Sequence, residues 1–256
     1  MVAALVLAVV GAGGFIVAGG GTGMSAVAMT AQTGLLGALI AQLPDILRVE
    51  VWSLSYGMII FVMWWLMMVA MMIPSAAPTV LLFGSLYPAR GLSGMVEFLL
   101  GYLTIWAGLS LIATLVQAGL AAGGMISPMY MTLGAPYLAA AVLIVAGLYQ
   151  VTPLKKACLS QCRGPVDALT RHRRAGPLAA FRMGAVHGLY CLGCCWALMA
   201  LLFVGGVMNL WWIIGLMALV ALEKLAPEGE RVARAVAFAL VGAGGVWLAA
   251  LLGALV

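Results

Sequence analysis

Residues 182–199 read Arg-Met-Gly-Ala-Val-His-Gly-Leu-Tyr-Cys-Leu-Gly-Cys-Cys-Trp-Ala-Leu-Met, a histidine and three cysteines set in an otherwise apolar run. At 100° per residue, His187, Cys191, Cys194 and Cys195 occupy an arc of about 100° on one helix face. Polar and ionisable groups are expensive inside a bilayer, so a stripe of them asks for a reason. Soft sulfur and imidazole ligands suit Cu(I) ahead of the other common metals. A lone buried cysteine is best read as a small hydrophobe, and a lone histidine as bonded to a carbonyl. Four such residues on one arc favour ligation. Zinc is the rival ion, because one His with three Cys is a zinc set, but four ligands crowded on one helix fit a closed tetrahedron poorly.

A second set lies on the run 54–75, which carries Met58, Met63, Met67, Met68, Met71 and Met72 ahead of Pro74 and Pro78. Met63, Met67 and Met71 repeat at i, i+4, i+8, and Met68 and Met72 form a parallel pair. Thioethers one turn apart can hold and pass on a soft univalent ion without burying charge of their own. Methionine also packs well anywhere, but its coincidence with the His/Cys helix favours a metal role. Met199 lies one turn beyond Cys195, and Met208, Met125, Met129 and Met131 extend the thioethers outward. Met24 and Met29 lie further out, in the segment 20–53.

A third set is Lys155-Lys156-Ala-Cys158-Leu-Ser-Gln-Cys162-Arg163-Gly-Pro165. Basic neighbours favour the thiolate, the form that binds metal or reacts, so Cys158 and Cys162 read as a docking or transfer point. His172, among arginines, reads as a solvated topology determinant. Glu223 beside Lys224 reads as an interfacial ion pair at a helix end.

The elements that must position these residues follow from composition. The chain has 256 residues, 66% hydrophobic and 7% charged, with a mean hydropathy of +1.19. A soluble domain of this size could not hide so much apolar surface, and long unalternating runs argue against a β-barrel. The expectation is an all-α polytopic transmembrane bundle, one domain over 1–256. About seven spans are expected, near 2–19, 54–75, 96–121, 136–153, 179–204, 207–223 and 232–254, from the roughly 20 apolar residues a span needs. The N-terminal run lacks the Lys or Arg that precedes a signal peptide's apolar core, which favours an uncleaved first helix; cleavage would leave six spans.

Basic residues other than Arg48 collect in alternate connections, and by the positive-inside rule these face the cytoplasm. The N-terminus is then cytoplasmic and the C-terminus external, with an external loop at 20–53 and a cytoplasmic loop at 154–178. The net charge of +5 is thereby explained without a nucleic-acid partner. Cysteines in such a loop stay reduced, and no disulfide framework is expected. At 1.5 Å per residue, Met67 and His187 lie about 12 Å from the inner edge and Cys191 about 18 Å, so the two ligand sets meet if their helices are neighbours. Gly184 and Gly188 have the small-xxx-small spacing that lets a neighbouring helix press close. No nucleotide-binding loop and no Ser-His-Asp pattern is present, which argues against an ATP-driven pump or a hydrolase.

The blocks Trp64-x₂-Met67-x₃-Met71-Met72-x-Pro74, Cys158-Leu-x₂-Cys162-Arg163-x-Pro165 and His187-Gly-x-Tyr-Cys191-x-Gly-Cys194-Cys195-Trp196-x-Leu-Met199 carry a family resemblance. With them the chain resembles, from about 58 to 240, the predicted metal-binding integral membrane protein family, whose members include the membrane partner of a bacterial tyrosinase. The resemblance implies a copper-chaperone-like role in supplying copper enzymes. The combined expectation is a non-enzymatic Cu(I) carrier of the bacterial inner membrane, in contact with lipid and a client copper enzyme or larger complex. Two rivals stand beside it. One is a membrane thiol oxidoreductase using Cys191, Cys194 and Cys195; the other is a structural or assembly subunit in which the sulfur residues only pack.

Overall fold

The computed structural model describes residues 2–17, 53–126, 131–171, 176 and 178–254. Helix α1 is Val2–Val17, α2 Leu54–Leu86, α3 Gly91–Ala122, α4 Pro136–Gln150, α5 Pro153–Arg163, α6 Pro165–Arg171, α7 Ala179–Ala200, α8 Leu202–Gly205, α9 Leu210–Leu225 and α10 Gly229–Gly253. Among the described residues the only β pairing is an isolated bridge between Ile126 and Leu133. An all-helical solution follows from the medium: in lipid each backbone group must be paired within its own segment.

Each expected apolar stretch is mostly helical where it is described, the exceptions being 151–152, 201, 207–209 and 254. The segments Leu54–Leu86, Pro88–Ala122, Ala179–Gly205 and Gly229–Gly253 are long and apolar enough to cross a membrane, and Pro136–Gln150 with Pro153–Arg163 make a fifth if the bent pair counts as one. Helices α1, α4 and α9 have 16, 15 and 16 residues, short of the roughly 20 that cross unaided. Residues 18–52, including Met24, Met29 and Arg48, lie outside the described part, as do Met129 and His172. The connection 154–178 holds the two short helices α5 and α6.

Local chemistry sets the helix ends. Asn209 caps α9, its side-chain oxygen accepting from the amides of Trp211 and Trp212 at 3.1 and 3.4 Å. Thr152 caps α5, accepting from the Lys155 amide at 3.3 Å. Pro153 has no N–H and holds Thr152 in an extended conformation, so α4 cannot run on, and the chain turns by 63° into α5. Helix α2 instead runs through Pro74 and Pro78 to Leu86, eleven residues past the expected end at 75. Prolines are tolerated in apolar spans when neighbouring groups bond the nearby backbone. The carbonyls that Pro74 and Pro78 leave without an N–H donor are those of Ala70 and Pro74; close by, the hydroxyls of Ser75 and Tyr102 donate to the Met72 carbonyl, at 3.0 and 3.4 Å.

The most extensive helix contacts are α3 with α7 and α4 with α10, followed by α2 with α3, α1 with α2, and α5 with α7. The main core gathers Met63, Met67, Met68, Met71 and Met72 from α2, Tyr102 and Trp106 from α3, and Cys191, Cys194, Cys195 and Met199 from α7. Both sulfur-rich helices therefore turn most of their sulfur inward, Met58 excepted.

Candidate metal site

Helix α3 sets the position of α7. A Cβ on Gly184 would overlap the Phe98 carbonyl, and one on Gly101 would overlap the carbonyl of Phe181. The two backbones thus meet at a distance only glycine permits. This is the close neighbour that the small-residue spacing anticipated. The contact fixes the His187 face of α7 against α3, where the imidazole stacks on Tyr102 with centroids 5.8 Å apart and lies 6.0 Å from the ring of Phe98.

One turn on, Cys191 Sγ lies 3.0 Å from the Tyr102 hydroxyl and 3.0 Å from Lys224 Nζ. Lys224 also donates to Ser75 Oγ at 3.2 Å. The Cys195 thiol reaches Met72 Sδ at 4.0 Å and the Cys191 carbonyl at 2.9 Å. Cys194 donates to that same carbonyl at 3.0 Å, and its sulfur lies 4.0 Å from Cys162 Sγ on α5. Cys158, one turn before Cys162, fills the space left by the missing side chain of Gly193. All five cysteines are free thiols. The pair expected in an open cytoplasmic loop therefore packs on the helix that carries the other three.

The two sulfur-rich helices meet through side chains. Each packs mainly on α3, and the sulfur contact between them is made by Met72 and Cys195. Met63, Met67, Met68 and Met71 are buried in the same core. Met68 and Met199 also line an apolar cleft of about 340 Å³, with Trp64, Val116, Trp196 and Phe203 among its walls. Met58 is exposed, Met125 partly so, and Met131 is buried. Among the described residues no three His, Cys, Asp or Glu side chains stand close enough together to hold an ion. His187 in particular is held by aromatic rings, not by sulfur. Two sulfur approaches of 4.0 Å stand out, Cys195 with Met72 beside Cys191 and Cys162 with Cys194.

Charged groups behave differently from their sequence reading. Glu223 and Lys224 do not pair with each other. Glu223 bonds Lys155 Nζ at 2.6 Å, both side chains being almost fully buried, and accepts from Gln150 Nε2 at 2.9 Å. Gln150 in turn accepts from Lys155. Arg163 donates to the carbonyls of Glu223 and Pro227 at 3.0 and 2.7 Å. Sequence neighbours on a helix point about 100° apart, so one faces the α4–α5 corner and the other the thiols. Lys155, read from sequence as a loop charge, locks that corner to α9.

Sequence reasoning passed over Tyr102, Ser75, Gln150 and the reach of Lys224. Only the isolated polarity of Gln150 and Lys224 near apolar runs could have marked them. Two buried polar atoms lack a hydrogen-bond partner among the described residues, Trp106 Nε1, one turn from Tyr102, and Gln161 Oε1, next in sequence to Cys162. Such orphans are where an ordered water is expected.

The model of the PpoB2 copper-chaperone family matches residues 61–247. The chain belongs to this family. The matched span contains every cysteine, His187, the methionines from 63 to 208, and Lys224. No curated protein and no solved structure matches the chain. Membership of the copper-chaperone family gives the chain a copper-related role.

Proposed function

We propose that the protein binds Cu(I) as cargo between α2 and α7 and passes it across or along the bacterial inner membrane for insertion into a copper enzyme. The observation that carries this reading is the meeting of Cys195 with Met72 at 4.0 Å, a thiol and a thioether from two apolar helices. Soft sulfur of both kinds suits Cu(I), and a two- or three-coordinate shell suits an ion that must leave again. Met63, Met67, Met68, Met71 and Met199 would supply successive weak ligands. Cys158, Cys162 and Cys194 would hand the ion inward from the α5 side. His187, one turn from Cys191, would join only after its ring leaves the stack with Tyr102 and Phe98.

The expected seven spans, with a cytoplasmic N-terminus, belong to this proposal and place α5 at the inner edge. The protein acts without chemistry of its own, its partners being the ion, surrounding lipid and a client enzyme or complex. Zinc is disfavoured because thioethers are poor ligands for it.

Anaerobic metal analysis of the purified protein beside Cys191→Ser, Cys195→Ser, Met67→Leu and Met72→Leu tests the site. Copper content that is the same in the parent and all four variants would end it. A membrane thiol oxidoreductase is the second reading, favoured by the cross-helix approach of Cys162 and Cys194 at 4.0 Å. It predicts a redox-active disulfide and no bound copper.

A further inference from the structure

We infer that Lys224 is a tethered cation that occupies the Cys191 sulfur until the cargo ion displaces it onto Ser75. This inference rests on the Cu(I) reading and specifies how the same site loads and releases.

A lysine that is only 7% exposed, in the core of an apolar bundle, needs partners to be tolerated there. The carboxylate beside it in sequence, Glu223, is taken by Lys155. What Lys224 has instead is the Cys191 sulfur at 3.0 Å and the Ser75 hydroxyl at 3.2 Å. The ammonium thus takes up one of the positions from which a cation could bind the Cys191 sulfur. A univalent copper ion that replaces the thiol proton of Cys191 leaves the net charge of the pocket unchanged, but it needs the place beside the sulfur that the ammonium holds. Holding both against Cys191 would place two positive charges in contact in a medium that screens them weakly.

The second partner, already bonded, is the one the ammonium keeps when it gives up the sulfur. Ser75 spends its proton on the Met72 carbonyl, which leaves its oxygen free to accept from Lys224. Tyr102 bridges the Met72 carbonyl and Cys191 and keeps the sulfur in place during the exchange. In the exchange the N–H···S contact breaks, the Cys191 thiol releases its proton and a Cu–S bond forms, and the sulfur takes up a proton again when the ion leaves. Return of the ammonium to Cys191 then helps the ion leave.

The test compares the purified wild-type protein with Lys224→Leu and Lys224→Arg under anaerobic conditions. It reads Cu(I) affinity and release rate by competition with a chromogenic Cu(I) chelator. Removing the competitor in Lys224→Leu should tighten Cu(I) at least about tenfold and slow its release, while Lys224→Arg should stay within a few-fold of wild type. Unchanged or weaker binding in Lys224→Leu would overturn the inference, weaker binding meaning that the lysine supports the sulfur instead of competing for it. In wild-type protein, amine methylation mapped by mass spectrometry should be slow at Lys224 without copper and faster once Cu(I) is bound. Labelling indifferent to copper overturns the inference even if the leucine variant does not fold. A wild-type protein that binds no Cu(I) sinks the proposed function and this inference together, whereas Cu(I) binding with unmoved labelling sinks the inference alone.

Discussion

Cys195 on α7 and Met72 on α2, 123 positions apart in the chain, bring their sulfur atoms to 4.0 Å. The contact lies at the last of the α2 methionines, next to the carbonyl that Ser75 and Tyr102 hold. Replacing either sulfur should remove one soft ligand from the same ion. Met72→Leu is expected to weaken Cu(I) binding about tenfold, equivalent to about 1.4 kcal/mol. Cys195→Ser should weaken it by more, and the double variant by less than the product of the two. Chelator competition on the four proteins measures this; strictly independent effects would show that the two residues do not share an ion.

The Lys155–Glu223 pair, buried on both sides, joins the α4–α5 corner to α9. Truncating one partner leaves a charge without compensation in the interior. Glu223→Gln should therefore cost about 3–5 kcal/mol of stability, seen as a clear fall in the melting temperature of the detergent-solubilised protein. The double variant Lys155→Met, Glu223→Leu removes both charges and should recover most of that loss. A single variant as stable as the parent would refute the structural role of the pair.

Gly184 admits the Phe98 carbonyl to the α7 backbone, whereas a Cβ on Gly242 would meet nothing. Gly184→Leu should force α3 and α7 apart and abolish accumulation of folded protein. Gly242→Leu, on an open helix face, should accumulate as the parent does. Size-exclusion profiles of the two purified variants check the contrast, and equal behaviour would deny the close α3–α7 approach.

The proposed orientation also makes a direct prediction. A reporter that is active only outside the cytoplasm should be active when fused after residue 256 and silent when inserted at 172. The opposite pattern would invert the topology and move the α5 cysteines to the external side.

Much of the architecture was legible because a bilayer asks a simple question of a sequence. A long apolar run with no period of two has helix as its paired solution, and the positions of the runs follow from composition alone. Helix α2 is where that reading stopped short. Pro74 and Pro78 argue for an end, because each removes one helix hydrogen bond, yet the helix continues through both to Leu86. The cysteine stripe was legible from helical angle, as was the close approach at Gly184 from residue size.

The sequence by itself determined an all-helical, apolar chain with inward-facing sulfur on two helices, because periodicity and residue chemistry act within a few turns. Only the tertiary structure decided which sulfurs meet. It pairs Met72 with Cys195, folds α5 back so that Cys162 touches Cys194, turns His187 into an aromatic stack, and sends Glu223 and Lys224 to different partners. These are contacts across tens of residues, fixed by how α3 spaces α2 from α7 and by the 63° turn at Pro153. Local spacing carries no record of either.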